Sequence, residues 1–123
     1  MAERFTFPRS RRLSGREAFA RVFEGKVRRS RGPLTVYGLP NDAGWPRLGL
    51  SVSRRVGNAV QRNRIKRLLR EAFRLVQHEL PRAYDLVIVV RPHAPLGLDA
   101  YREILLDLAG RIHDHGNTSS RDG

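Results

Sequence analysis

The side chains best suited to chemistry in this sequence are cations that recur at helical spacing between residues 59 and 78. When successive residues are placed about 100° apart, the apolar side chains from Ile65 to Val76 fall in one arc and the cations in the opposite arc. The cationic arc holds Asn63, Lys66, Arg67, Arg70 and Arg74, with Arg62 and Arg64 on its shoulders and Glu71 at its edge. Cations at i and i+4 repel by about 0.2–0.5 kcal/mol per pair. A helix face that keeps such repulsion is expected to bind phosphates.

The loop before this helix adds further anion-binding groups. Arg54 and Arg55 precede Gly57, which permits a tight turn, and Asn58, which suits the N-cap position. The first turn of a helix points unpaired backbone amides outward, and the helix dipole favours an anion there. The loop and the helix together therefore predict one extended phosphate-binding surface.

Residues that could carry protein-based catalysis are not grouped in the sequence. The four histidines share no ligand or triad spacing, and the acidic residues form no obvious pair; the histidines are His78, His93, His113 and His115. At most, His113 and His115 could hold an adventitious transition metal. The absence of cysteine excludes disulfides, thiolate catalysis and cysteine-based zinc sites. The sequence therefore predicts a binding protein without catalytic residues or a metal site of its own.

The overall charge supports a polyanionic partner. The 123 residues include 24 Lys plus Arg against 12 Asp plus Glu, which gives a net charge of +12. Nearly all of these cations are Arg, whose planar guanidinium forks onto phosphate oxygens. A genome rich in GC explains the choice of Arg over Lys equally well, but it does not explain the net charge. No segment is apolar enough for a signal peptide or a membrane span, so we expect a cytoplasmic protein.

Nucleic acid is favoured over a membrane surface as the partner, because the long helix uses its apolar face for the core. A duplex-DNA reader would need base-reading side chains, for which Asn63 is the sole candidate on the cationic arc. The composition alone is equally consistent with a ribosomal or other structural RNA-binding protein.

The remaining segments predict one α+β domain over residues 14–113, between a flexible basic arm at 1–13 and a disordered tail at 114–123. A capping box from Ser14 to Glu17 predicts a first helix that ends at Gly25. Strands are expected at 33–39, 47–53 and 84–90, and helices at 59–78 and after a cap at Asp99. The strands at 47–53 and 84–90 flank the long helix and should be parallel neighbours.

The segment LGLSVSRRVGNAVQRNRIKRLLREAFR, from Leu48 to Arg74, resembles the core of the bacterial ribonuclease P protein family. The Arg-Asn-Arg at 62–64 matches the named motif of that family, and Phe19-x-x-Val22-Phe23-x-Gly25 matches its first helix. The likeness covers roughly residues 10–112. One departure is the pair Arg54-Arg55, where the family often has two lysines; the charge is preserved.

This resemblance implies a fold and a function. The implied fold is a single-domain two-layer sandwich with a four-stranded sheet and three helices in the order αβββαβα, including a left-handed βαβ crossover. The implied partners are a catalytic RNA and precursor tRNA, without an obligate protein partner. The RNA subunit would use Mg²⁺, which it mainly holds itself, to cleave the 5′ leader from the precursor.

The resemblance also assigns two sets of residues. The contacts to the RNA subunit would be Arg54, Arg55, Asn58, Arg62, Asn63, Arg64, Lys66, Arg67 and Arg70. The contacts to the leader would be Phe19, Phe23, Tyr37, Ser51 and Ser53, together with Arg11 and Arg12. Aromatic rings stack on bases without sequence preference, although ordinary core packing would explain the two phenylalanines equally well.

Overall fold

The computed structural model describes residues 12–80 and 83–122, with side chains as far as Asp114. In chain order the elements are α1 (Arg16–Glu24), β1 (Arg28–Arg31), β2 (Leu34–Pro40), β3 (Arg47–Val52), α2 (Ala59–Val76), β4 (Tyr84–Val90) and α3 (Leu98–Asp122). A single 3-10 turn, Arg54–Val56, lies between β3 and α2. This order confirms the predicted α+β class with four strands and three helices.

The sheet has the strand order β1-β2-β4-β3, with β4 in its interior. β4 runs antiparallel to β2 and parallel to β3, where Leu48 lies opposite Leu86. The predicted parallel pairing across the α2 connection is confirmed. Five of the seven β4 residues are buried, as expected of an apolar strand that is covered on both faces. The handedness of the crossover stays a prediction.

Alternation along the strands divides the sheet into two faces. The first face packs against α2 and α3 and forms the main core, to which β4 contributes Leu86, Ile88 and Val90. The second face packs against α1 through a smaller cluster around Leu13, Val22 and Val87. Because α1 has only nine residues, it leaves part of the second face uncovered. That uncovered strip is where a ligand can approach the sheet.

The free edge of β3 is partly covered by the residues that precede α1. Arg12 forms a parallel β-bridge with Leu48, and the Leu13 amide donates to the Leu48 carbonyl at 2.8 Å. The last two residues of the predicted flexible arm are therefore held against the sheet. Arg11 and the rest of that arm lie outside the described residues.

Two predicted helix caps are wrong. The N-cap of α1 is Gly15, at φ +90°, and no side chain caps this helix. The left-handed backbone of Gly15 shifts the helix start by one residue, so Ser14 is not in the capping position. α3 begins at Leu98, which places Asp99 inside the first turn, where it pairs with Arg102 instead of capping.

The structure also differs from the sequence prediction at β1 and at the chain end. β1 has the sequence RRSR, which lacks an apolar alternation, so the sequence pattern does not predict this strand. Among the described residues it is an edge strand that pairs only with β2, and charged residues are common at such edges. The last helix, α3, continues to Asp122, through the stretch that was predicted as a tail.

Candidate RNA interface

The long helix α2 has the two faces that its sequence predicts. Its buried residues are Ile65, Leu69, Ala72, Phe73 and Val76, and Leu68 packs against the same core. Arg64, Arg67 and Arg70 are exposed, while Lys66 is half-buried. The apolar arc thus packs in the main core, and the cationic arc faces outward.

The turn before α2 is held by its own side chains. The Asn58 side chain accepts from the Gln61 amide at 2.9 Å, and the Gln61 side chain accepts from the Asn58 amide at 2.9 Å. This reciprocal capping box confirms Asn58 as the N-cap. A Cβ at Gly57 would lie 2.2 Å from the Gln61 side-chain oxygen, so this capping box requires glycine at position 57.

Arg62 contributes to the same turn. Its guanidinium donates to the Gly57 carbonyl at 2.7 Å, and its side chain is half-buried. Arg54 and Arg55, which this turn carries, are both exposed. Arg62 therefore fixes the loop that presents two further cations. A guanidinium has five N–H donors, so this bond leaves donors for a phosphate as well.

Arg74 marks the end of the cationic surface along α2. Its guanidinium makes two hydrogen bonds to the Glu71 carboxylate, one of them at 3.0 Å. These bonds lower the pKa of Glu71, so the carboxylate is charged at neutral pH and offsets the charge of Arg74. The uncompensated part of the helix therefore runs from its first turn to Arg70.

Arg12 and residues of this helix line one cavity of about 410 Å³. The cavity is lined by Arg12, Asn63, Arg67, Arg70, Glu71 and Arg74. Arg12 was assigned to the leader, whereas Arg67 and Arg70 were assigned to the RNA subunit. The structure brings the two sets together at this point, which sequence spacing could not show because Arg12 is 55 positions from Arg67 and 58 from Arg70.

A second, smaller cavity joins the α2 surface to the second face of the sheet. It has a volume of about 140 Å³ and is lined by Arg12, Leu13, Phe19, Leu48, Gly49, Leu50, Lys66 and Arg70. Phe19 belongs to α1, Gly49 to β3 and Lys66 to α2. The two predicted binding surfaces are thus continuous through this junction.

The aromatic residues predicted to contact the leader lie together between α1 and the sheet, in a space we call the cleft. Phe23 and Tyr37 meet edge to face at 4.8 Å between ring centroids, and Phe19 lies 6.4 Å from Phe23. Phe19 covers Gly49, where a Cβ would lie 2.7 Å from the ring. Both phenylalanines are half-buried, so they pack against the sheet and still present ring surface to the cleft.

The floor of the cleft is a row of small polar and aliphatic side chains across all four strands. The strand register aligns Ser30, Thr35, Val89 and Ser51, and the Ser30 and Thr35 hydroxyls are hydrogen-bonded at 2.8 Å. Ser53 is exposed just beyond the end of β3. Ser30 and Thr35 were not predicted as site residues, although the alternation of β2 places Thr35 on the same face as Tyr37.

At the other end of the same face, where β3 and β4 begin, a buried ion pair holds the loop that joins β2 and β3. Asp85 is 2% exposed and accepts from Arg47 at 2.7 and 2.9 Å and from Asn41 at 2.7 Å. Asn41 also donates to the carbonyl of Trp45, whose side chain is 37% exposed. Trp45 is therefore held at the surface of a well-anchored loop.

Comparison with known proteins identifies the family that carries this geometry. The family model described as Ribonuclease P matches residues 7–111. The chain belongs to the ribonuclease P protein family. It is 47% identical over 89 residues to the ribonuclease P protein component of Photorhabdus laumondii, covering 72% of this chain and 74% of the relative. The family resemblance inferred from the Arg-Asn-Arg motif is thereby confirmed.

Solved ribonuclease P proteins share the fold. The protein from Thermotoga maritima superposes with a TM-score of 0.74 at 30% identity, covering 81% of this chain and 96% of that one. The protein from Staphylococcus aureus gives a TM-score of 0.70 at 28% identity, with coverage of 84% and 94%. This chain is therefore a protein component of ribonuclease P, the holoenzyme that cleaves tRNA precursors, and it associates with the ribonuclease P RNA.

The described part of this ribonuclease P protein holds neither a metal-binding cluster of side chains nor a membrane-spanning helix. Within residues 12–80 and 83–122, no group of three or more His, Asp or Glu side chains could hold a metal ion. Over the same part of the chain, no helix combines the length and apolarity needed to cross a bilayer. His93, one of the histidines considered above, instead shares a hydrogen bond of 2.7 Å with the Tyr101 hydroxyl.

Proposed function

We propose that this subunit holds the catalytic RNA and the 5′ leader of precursor tRNA side by side, and so promotes removal of the leader by the RNA. The observation that carries the proposal is the junction lined by Arg12, Phe19, Lys66 and Arg70. It joins a cationic helix face to an aromatic cleft on one side of the molecule. The lining of the junction contains no acidic side chain, so a strand that leaves the RNA surface can enter the cleft without passing a negative charge.

The two surfaces suit different forms of RNA. On α2 and its preceding turn, exposed arginines with Asn63 as the one base-reading candidate among them favour contacts to the phosphates of a folded RNA. In the cleft, half-buried aromatic rings above a floor of hydroxyls favour unpaired bases, which stack at about 1–3 kcal/mol per base. We infer that the α2 surface binds the RNA subunit and that the cleft binds the single-stranded leader.

The chemistry is assigned to the RNA subunit. The Mg²⁺ that phosphodiester cleavage uses is proposed to be held mainly by RNA phosphates, because the acid nearest the cationic surface, Glu71, is engaged by Arg74. The role of this chain is to position the substrate and to supply cations that offset the repulsion between two RNA molecules. We expect it to act in the cytoplasm.

The reconstituted holoenzyme is expected to bind precursor tRNA more tightly than mature tRNA, by about 1–3 kcal/mol for each stacked base. The RNA subunit alone should show little of this preference, since the cleft belongs to the protein. Equilibrium binding of both tRNA forms, with and without the protein, measures the difference. Equal preference with and without the protein would overturn the assignment of the cleft to the leader.

A further inference from the structure

Lys26 has a backbone conformation that its side chain does not favour. Its φ is +63°, and Lys26 and Ala83 are the two non-glycine residues with positive φ in the described part of the chain. Lys26 follows the C-cap of α1 and donates its amide to the Phe23 carbonyl at 3.1 Å. Glycine or asparagine is the usual residue at such a helix end. The turn therefore requires this backbone, but it does not explain why the residue is lysine.

The Lys26 side chain lines a cavity that contains two of the predicted leader residues. The cavity has a volume of about 340 Å³ and is lined by Phe23, Lys26, Arg28 and Tyr37. Two of these four residues are aromatic and two are cationic, and none is acidic. An aromatic wall beside two cations suits one nucleotide, whose base stacks and whose phosphate is bound.

Arg28 is held in place by the aromatic wall. It lies opposite Tyr37 in the strand register, and its guanidinium carbon is 5.9 Å from the centroid of the Tyr37 ring. The same guanidinium donates to the Tyr37 hydroxyl at 3.1 Å. These contacts orient the guanidinium across the ring and leave further N–H donors for a ligand.

This cavity lies at the end of the cleft that is away from the junction with α2. It lies at β2 and β1, whereas the junction with α2 lies at β3, two strands away in the order β1-β2-β4-β3. Neighbouring strands are about 4.8 Å apart, so the separation is on the order of 10 Å. A strand that enters at the junction reaches this cavity only after crossing the floor of the cleft.

We propose that Lys26 and Arg28 bind one phosphate of a single-stranded RNA at the far end of the cleft, while the adjoining base lies against Phe23 and Tyr37. The inference rests on the proposed function, because the strand is taken to be the leader. The competing explanation is that Lys26 interacts with the C-terminal dipole of α1. That explanation concerns folding alone and predicts no effect on RNA binding.

Replacing Lys26 with glycine separates these two explanations. Lys26→Gly removes the unfavourable backbone conformation, so the thermal midpoint is expected to stay the same or rise. In the reconstituted holoenzyme, the affinity for precursor with a long leader is expected to fall several-fold, with the affinity for mature tRNA unchanged. Ala83→Gly removes the same unfavourable positive φ at a position outside the cleft, and it should leave both affinities unchanged. Unchanged precursor affinity in Lys26→Gly would overturn the proposal.

Further variants test charge and position. Lys26→Arg should retain precursor affinity, whereas Arg28→Gln should lower it and reduce the salt slope of precursor binding by about 0.7, the value for one phosphate of a single strand. Arg21→Gln, on the outer side of α1, is the control for a general loss of charge. Shortening the leader to a single nucleotide should abolish the effects of Lys26→Gly and Arg28→Gln. If these effects persist with that short leader, then the phosphate site at Lys26 and Arg28 does not lie at the far end of the cleft.

The same experiment distinguishes this proposal from the proposed function. If the unaltered protein gives no preference for precursor over mature tRNA, then the cleft does not bind the leader and both proposals fail. If the preference is present but is the same in Lys26→Gly and Arg28→Gln, then only the phosphate site fails.

Discussion

The double variant Arg67→Glu, Arg70→Glu is expected to lose on the order of 100-fold or more in affinity for the ribonuclease P RNA, because hydrogen bonds to charged groups contribute about 1.5–3 kcal/mol each. Both side chains are exposed on α2 and line the same cavity as Arg12. The slope of binding against salt should fall by roughly two, since each phosphate contact contributes about 0.9 on a duplex. Equilibrium binding over a range of salt concentrations measures both quantities.

The matched control is a second double reversal that changes the net charge equally. Arg21→Glu with Arg111→Glu alters two exposed arginines, one on α1 and one on α3. This control should lose far less affinity, because neither residue lies on the α2 surface. Equal losses in the two double variants would show that net charge, and not the α2 surface, determines RNA binding. Circular dichroism should show that both variants are folded.

Phe19→Ala is expected to reduce the preference for precursor over mature tRNA by roughly 5- to 150-fold, the equivalent of one stacked base at about 1–3 kcal/mol. Phe19 lies over Gly49 and lines the junction between the two surfaces. Because the ring is half-buried, the variant should also lose stability, by about 2 kcal/mol. The measurements are the affinities of the holoenzyme for both tRNA forms and the unfolding free energy of the protein.

Val22→Ala provides the control for this loss of stability. Val22 is on the same helix and is completely buried in the small cluster between α1 and the sheet. Its truncation should cost a similar 1–3 kcal/mol, roughly, without removing a ring from the cleft. If Val22→Ala reduces the preference for precursor as strongly as Phe19→Ala, then Phe19 acts through packing and not through the leader.

Local patterns in the sequence were sufficient to predict α2, because its apolar arc determines burial and its cationic arc remains outside. The same is true of β4, where an apolar run with few polar residues requires cover on both faces. The N-cap at Asn58 was also predictable, since the side chain and the helix start are adjacent in sequence. These elements depend on interactions between residues that are close together along the chain.

Features that depend on distant parts of the chain were not predictable. β1 has no apolar alternation and exists because it pairs with β2 at the edge of the sheet. The position of Arg12 beside Arg70 follows from its bridge to Leu48. In each case the deciding contact is tertiary.

The proposed role of this protein is tested by cleavage of precursor tRNA at low magnesium by the RNA subunit, with and without the protein. The protein is expected to restore cleavage under conditions where the RNA alone is nearly inactive, because its cations offset the repulsion between the two RNA molecules. Cleavage should yield mature tRNA and an intact leader. No gain over the RNA alone, at protein concentrations that saturate RNA binding, would contradict the role proposed for the protein.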